Sequence, residues 1–481
     1  MKRHAYLLRG LCLTVAAVLL TACGEPKQPA QTTEQTVTEP EPITTKSPAV
    51  EVKAVEIAAR GKKSAFQIVY NTEDAASGTH AVRILNAIKD GLGVNLTLRT
   101  DYLATQEIPC EIVVGAQRRA DCAALTETLS EDEYAIRTVR EDDKTKIIIA
   151  YKGVYALMSA VDNFIEDYVD TAAGTVSIPA DLDIRAKCNG TDVMITSSIP
   201  QLRDPCVLVE DGVYYAYGTG WVCWKNTTGN LANGWQSLGV VAEKPAEATN
   251  NYWAPEVHKY NGAYYMFTTY YSSKTNHRGC TILKSDSPEG PFREITNGHI
   301  TPHDWDSIDG TFYVDPDGQP WMIFVHEWTS TDDGIGRMAA AKLSDDLTRF
   351  ISEPVELFRA DDPSWAKAQV TDGCWMYRCA DGQLLMLWSN SDSAGYCVGI
   401  ARSADGRVDG EWTQDRDLLY SKNMTGRYDG GHGMLFTDTD GQMYLSIHSP
   451  NNSSAGRKET PVFIRVRETA DSRLVWDLQG E

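Results

Sequence analysis

The sequence predicts an all-β five-bladed β-propeller preceded by an N-terminal α/β sandwich, and three observations predict it. A short apolar run, an Asp-Gly or Asn-Gly pair and an aromatic-rich run recur five times, with turn glycines at Gly212, Gly262, Gly318, Gly382 and Gly441. Such a pair between two apolar runs is the strongest local hairpin signal, because tight primed turns need positive φ. The glycines follow one another at intervals of about 50 to 64 residues, as blades with loops of varied length would. Finally, the texture changes near residue 190: strand and helix periods mix before it, whereas Trp, Tyr, Gly and turn pairs dominate after it.

From the N-terminus, residues 1–22 carry Lys2, Arg3 and Arg9, then an apolar run from Leu11 to Leu20, and no acid. That is a secretory signal, too short to read as a spanning helix. Leu20-Thr21-Ala22-Cys23-Gly24 resembles a bacterial lipobox. The resemblance implies lipid attachment at Cys23 and a protein anchored to a bacterial membrane by lipid alone, facing outside the cytoplasm. Residues 23–48 are Thr, Gln, Glu and Pro, with five prolines and almost nothing to bury, so they read as an extended disordered tether. The net charge of −21 excludes nucleic acid or anionic lipid as a partner for a broad basic face, and suits a neutral polymer better. Eleven cysteines fit no zinc spacing: there is no Cys-x-x-Cys, and Cys374 with Cys379 lacks a second pair. Scattered buried thiols are the reading, with a disulfide or two left open.

Residues 50–190 form the accessory domain. Strands are expected at Phe66–Tyr70, Leu96–Leu98, Glu111–Val114, Tyr134–Ile136 and Lys146–Ile149. A helix over Thr79–Leu92 places Ile84, Leu85, Ile88 and Leu92 on one face, and another over Val154–Val169 buries Leu157, Val161, Phe164, Ile165 and Tyr168. Glu111-Ile112-Val113-Val114-Gly115 and Asp132-Glu133-Tyr134-Ala135-Ile136 resemble the small α/β domain that precedes the catalytic domain of hexosaminidases and α-glucuronidases. That implies an accessory role.

Residues 195–481 form the propeller. Near the start of each blade's first strand stands a polar residue: Asp204, Glu256, Asp309, Asp372 and His432. Innermost propeller strands surround the axis, so these five are expected to converge on one funnel. Several acids buried together are costly unless they share protons, accept hydrogen bonds or serve chemistry. Here the sequence is also similar to a known family. Arg203-Asp204-Pro205, Trp253-Ala254-Pro255-Glu256, Ser307-Ile308-Asp309-Gly310-Thr311-Phe312-Tyr313-Val314-Asp315 and Gly431-His432-Gly433 resemble glycoside hydrolase family 43. Its members are five-bladed propellers that cleave arabinofuranosides and xylosides with inversion. The resemblance implies Asp204 as general base and Asp309 as the acid that orients and tunes its partner. The family's general acid is a Glu in Glu-Gly-Pro, where this chain has Thr371-Asp372-Gly373-Cys374.

The residues lead to similar roles on their own. Inverting hydrolysis needs a protonated carboxyl at the leaving oxygen and a carboxylate on a water opposite, roughly 6.5–9.5 Å apart. Asp204 and Asp372 come from different blades and suit that separation, and a third acid, Asp309, would raise its neighbour's proton affinity. Asp372 is one methylene shorter than Glu, which leaves a working Asp or an impaired enzyme as the alternatives. Glu256 is either a structural acid or a sugar contact. His432 is either a satisfied buried histidine or, as the resemblance implies, an axial residue near a central water or Ca²⁺ held mostly by water; any such ion would be structural, and none is required for the chemistry. Trp253, Trp305, Trp328 and Trp375 lie near the motifs, where a sugar face would stack on a ring or the rings would pack between blades. His326-Glu327-Trp328 is no zinc motif. Glu327 is the second candidate acid and, with Trp253, Glu256, Trp328, Trp375 and His432, a candidate sugar contact.

The expected function is an inverting glycoside hydrolase that releases terminal pentose, α-L-arabinofuranose first and β-xylose second, from plant cell-wall polysaccharide or oligosaccharide. The rival is a catalytically impaired propeller acting as a surface glycan-binding lipoprotein. A protein-binding propeller would leave Asp204, Asp309 and Asp372 without a purpose.

Overall fold

The computed structural model describes residues 54–141, 143–190, 193–452 and 457–479. The signal segment, Cys23 and the tether lie outside the described residues. The described residues belong to one compact unit, Val52–Glu481. Among them no helix is long and apolar enough to cross a membrane.

The first part is built on a six-stranded sheet in the order Thr97–Thr100, Gln67–Tyr70, Cys110–Val114, Lys144–Tyr151, Glu133–Glu141, Asp183–Lys187. The first three pairings are parallel and the last two antiparallel. Alternation along the strands sends Ile68, Ile112, Val114, Ile147 and Ile149 to one face, packed against helices α1 (Ala75–Leu92) and α3 (Val154–Tyr168). Val69, Val113 and Ile148 go to the other face, under helix α2 (Ala120–Glu127). Helix α1 starts one turn before the expected Thr79, because the Asp74 side chain accepts the Ala76 N–H as N-cap. Helix α2 has no counterpart in the sequence reading; of its eight residues only Cys122, Leu125 and Thr126 are buried, too few to show a period.

The second part is five antiparallel sheets. The first runs from Cys206–Glu210 to Gln236–Val240, the second from Ala248–Tyr260 to Arg293–Glu294, the third from Ser307–Val314 to Val355–Arg359 and the fourth from Asp372–Arg378 to Trp412–Gln414, each of four strands in chain order. The fifth contains Gly431–Thr437, Met443–Ser449 and Thr460–Glu468. Its outer edge takes Met194–Thr196 from the start of this part and Leu474–Trp476 from its end, so the two ends of the chain segment are held in one sheet. The first strand of each sheet touches that of the next, and the fifth touches the first, which closes a ring.

All five turn glycines join the first two strands of a sheet, and all have positive φ, from 77° to 94°. Only the first two turns are the tight primed kind, with Asp211 and Asn261 left-handed beside their glycines. In the other three the glycine alone is left-handed and its N–H returns to Asp315, Cys379 or Asp438, a longer loop that closes on a left-handed residue. All nine cysteines among the described residues are free thiols, eight of them buried. The α/β part is fastened to the last two sheets through Asn86–Asp417, Asp90–Arg416 and Glu166–Arg467 contacts and the Tyr155–Trp476 ring pair.

Candidate active site

One residue in or just ahead of each first strand has a left-handed backbone: Asp204 (φ 56°), Ala254 (40°), Asp309 (55°), Gly373 (41°) and His432 (57°). In the second to fifth sheets a register shift falls there, so each lies in a β-bulge. Four of the five are not glycine, and positive φ is uncommon for such residues. The register corrects two of the five positions read from sequence. The equivalent of Asp204 is Ala254 in the second sheet and Gly373 in the fourth, not Glu256 and Asp372. Glu256 stands two residues beyond its bulge, 2% exposed, where Thr311 Oγ1 and His258 Nε2 bond its Oε2. Those partners make it an acid of the structure rather than of the open funnel. Asp372 precedes its bulge and still reaches the centre.

Three carboxyls gather around His432. Its Nδ1 lies 3.3 Å from Asp204 Oδ1 and 3.9 Å from Asp309 Oδ2. The Gly373 N–H donates to Asp309 Oδ2 at 2.9 Å, and a Cβ on Gly373 would come within 2.7 Å of the His432 ring. Asp204 Oδ2 accepts from Thr219 Oγ1 at 2.6 Å, and its Oδ1 lies 3.6 Å from Arg203 Nε and 3.3 Å from His448 Nδ1. Tyr396 OH donates to Asp372 Oδ2 at 3.1 Å.

These surroundings push the three acids apart. Burial alone would raise Asp204, but His432, His448, Arg203 and the Thr219 hydroxyl outweigh it and hold the carboxyl below its ordinary range. Burial, with the neighbouring Asp372 and Asp204, lifts Asp309 to about 7. Asp372 is raised by burial first and by Asp204 second, against His432 and the Tyr396 hydrogen bond. The repulsion expected from Asp309 is therefore a lesser cause at Asp372 than loss of water. Burial opposes charge on His432, yet Asp204, Asp309 and Asp372 together raise it; His448, buried with fewer acids, is lowered to about 4. A carboxyl shifted toward ionisation thus lies beside carboxyls shifted toward protonation around one imidazole, the pairing that general acid–base chemistry requires.

The remaining candidates divide. Trp375 stacks on His258 at 5.3 Å and Trp305 on His326 at 3.8 Å, so both rings are taken up by packing. Trp253 is half-buried, with Arg278 over its ring at 5.9 Å. Trp328 is exposed, at 45%. Glu327 follows the strand Pro320–His326, pairs with Arg278, and is lifted to about 7 by burial despite that partner. Among the described residues no group of three or more His, Cys, Asp or Glu side chains forms a metal site, and His432 Nε2 is buried without a hydrogen-bond partner. One unpartnered nitrogen fits an ion only through intervening water. Sequence reasoning missed Thr219, Tyr396 and His448. His448 had a signal: it stands near the end of the apolar strand Met443–Ser449, opposite Gly431 and so beside the bulge.

The model of the family described as glycosyl hydrolases family 43 matches residues 198–480. The chain is 25% identical over 257 residues to a probable arabinan endo-1,5-alpha-L-arabinosidase A of Aspergillus flavus, covering 51% of this chain and 74% of that one. It is 26% identical over 170 residues to the extracellular exo-alpha-(1->5)-L-arabinofuranosidase ArbA of Cellvibrio japonicus, covering 32% and 47%. Among solved structures, the endo-arabinase from Bacteroides thetaiotaomicron is 35% identical with a TM-score of 0.51, covering 57% of this chain and 98% of that one.

Proposed function

We propose, of a chain that belongs to glycosyl hydrolases family 43 and is a glycoside hydrolase, that it works by inversion and releases terminal pentose. On this reading the ring of five sheets is a five-bladed propeller and the substrate is a plant cell-wall arabinan, with α-L-arabinofuranose the first sugar and β-xylose the second. The names of its relatives support arabinan; they include both exo- and endo-acting enzymes.

The observation that carries the proposal is the divergence of acidities among three carboxyls gathered around His432. Asp204, held ionised, accepts a proton from a water as that water attacks the anomeric carbon. Asp372, its proton affinity raised by burial, gives its proton to the leaving oxygen as the glycosidic C–O bond breaks. Asp309 bonds the Gly373 N–H next to Asp372 and so positions the acid. After one turnover Asp204 carries the proton and Asp372 is ionised, and exchange with water resets both. The unpartnered His432 Nε2 is the atom that the water shell of a structural Ca²⁺ would meet; no step runs through the ion. Export and lipid anchoring through Cys23 are part of the proposal and rest on the sequence.

Asp204→Asn tests it. The variant folds, binds sugar and loses turnover on aryl glycosides, arabinan and arabinoxylan alike; a tenth of the wild-type rate remaining would remove Asp204 as the base. Sugar affinity with no release by the wild type would favour the rival, a surface glycan-binding protein.

A further inference from the structure

We infer that Glu327, Arg278 and Trp328 form the subsite for the leaving-group sugar, with Glu327 as its hydrogen-bonding residue. The inference rests on the hydrolase reading above and names what lies on the far side of the scissile bond.

Ser307 pairs with His326 and Ile308 with Val325, so the residue after His326 stands at the same end of the third sheet as Asp309. Glu327 N donates back to Asp306 O at 2.8 Å, which fixes it at that rim. The Glu327 side chain is 11% exposed and close enough to Asp372 for the two charges to interact. Its Oε2 accepts from Arg278 Nε, and no hydrogen bond from the described residues reaches its Oε1. Arg278 is itself fixed: its Nη2 lies 3.2 Å from Asp306 Oδ2 and donates to Thr329 Oγ1 at 3.1 Å, and its guanidinium covers Trp253. Trp253 precedes the bulge residue Ala254, so this cluster abuts the centre and does not sit on the outer wall. A carboxyl held by one oxygen, with the other left without a hydrogen bond among the described residues, is suited to a ligand hydroxyl. Trp328 follows in the chain, and among the described residues it is the one tryptophan that is exposed, a ring free to carry a sugar's apolar face. Glu327 is not the proton donor here. Its hydrogen bond is to a hydroxyl of the leaving sugar, and Asp372 protonates the bridging oxygen.

The test compares an arabino-oligosaccharide, which has a leaving sugar, with a 4-nitrophenyl glycoside, which has none. Glu327→Ala should lose about tenfold in kcat/KM on the oligosaccharide, mostly through KM, and about twofold on the aryl glycoside. Glu327→Gln, which keeps a hydrogen-bonding group, should recover most of that loss. Should Glu327→Ala fold poorly, calorimetry on Asp204→Asn/Trp328→Ala replaces it: oligosaccharide binding weakens about tenfold and monosaccharide binding much less. Equal losses on both substrates would overturn the subsite. So would a Glu327→Gln variant as inactive on the oligosaccharide as Asp372→Asn, because that would make Glu327 the acid. An inactive wild type would defeat the hydrolase reading instead, and these variants are read only against an active one.

Discussion

Gly373→Ala probes the packing at the centre of the ring. Two costs add. A left-handed backbone is unfavourable for Ala by about 1–2 kcal/mol, and Gly373 has φ 41°. The new Cβ would also stand 2.7–2.9 Å from three atoms of the His432 ring, closer than such contacts allow. His432 has little room to retreat: it is 3% exposed, its backbone N–H donates to Ser389 Oγ, and Asp204 and Asp309 flank its ring. Overpacking of that kind costs about 1–3 kcal/mol, so the substitution should lose about 2–5 kcal/mol in a urea titration followed by tryptophan fluorescence. Activity should fall further than stability does. A His432 ring displaced by about 1 Å disturbs the group that keeps Asp204 ionised, and misplacement on that scale costs roughly 10²-fold in rate. The acid limb of the pH–rate profile should move up, since Asp204 loses part of its stabilising charge. An Ala variant as stable as the wild type, with an unmoved acid limb, would refute the close approach of Gly373 to His432 and the bulge assignment behind it.

Tyr396→Phe removes the hydrogen bond that favours ionised Asp372. The acid then holds its proton to higher pH, so the alkaline limb of kcat/KM should move up, with less than about tenfold change at the optimum; a limb that stays or falls would separate Asp372 from the leaving-group proton. Asp309→Asn tests linkage. Burial raises the folded-state value to about 7 from 3.8, so the folded protein binds this proton more tightly than the unfolded chain. The stability this proton confers is fully present below about pH 4 and lost as pH rises to 7. Asp309→Asn should flatten that slope by on the order of 2–4 kcal/mol across the window while lowering activity; an unchanged slope in urea titrations would contradict the buried, raised carboxyl.

The hairpins were legible because Asp-Gly and Asn-Gly pairs demand left-handed backbone whatever surrounds them, and all five turn glycines adopt it. The ring members were legible only in part. Asp309 and His432 are bulge residues and Asp204 stands just ahead of its strand with the same left-handed backbone, but a bulge adds one residue to a strand, and no local pattern shows where it falls. Ala254 and Gly373 therefore hid behind the more conspicuous Glu256 and Asp372. Glu256 illustrates the cost of reading a polar residue without its register, since two steps along the strand from the bulge its carboxyl is taken up by the Thr311 and His258 bonds. Thr219, Tyr396 and His448 reach the centre from second or third strands or the loops between them, positions that only the closed ring brings together. The acidities of Asp204 and Asp372 depend on those residues, so the sequence supported Asp204 by its motif and Asp372 by an expected repulsion from Asp309, without the contacts that shift either group.

The configuration of the first product tests the central claim most directly. Proton NMR during the first minutes of hydrolysis of an α-L-arabinofuranoside, before mutarotation, resolves which anomer the enzyme releases. An ionised Asp204 acting through water, opposite a protonated Asp372, predicts β-L-arabinofuranose as the initial product. Release of the α anomer would mean a covalent intermediate on a carboxylate, and would contradict Asp204 as a base acting on water.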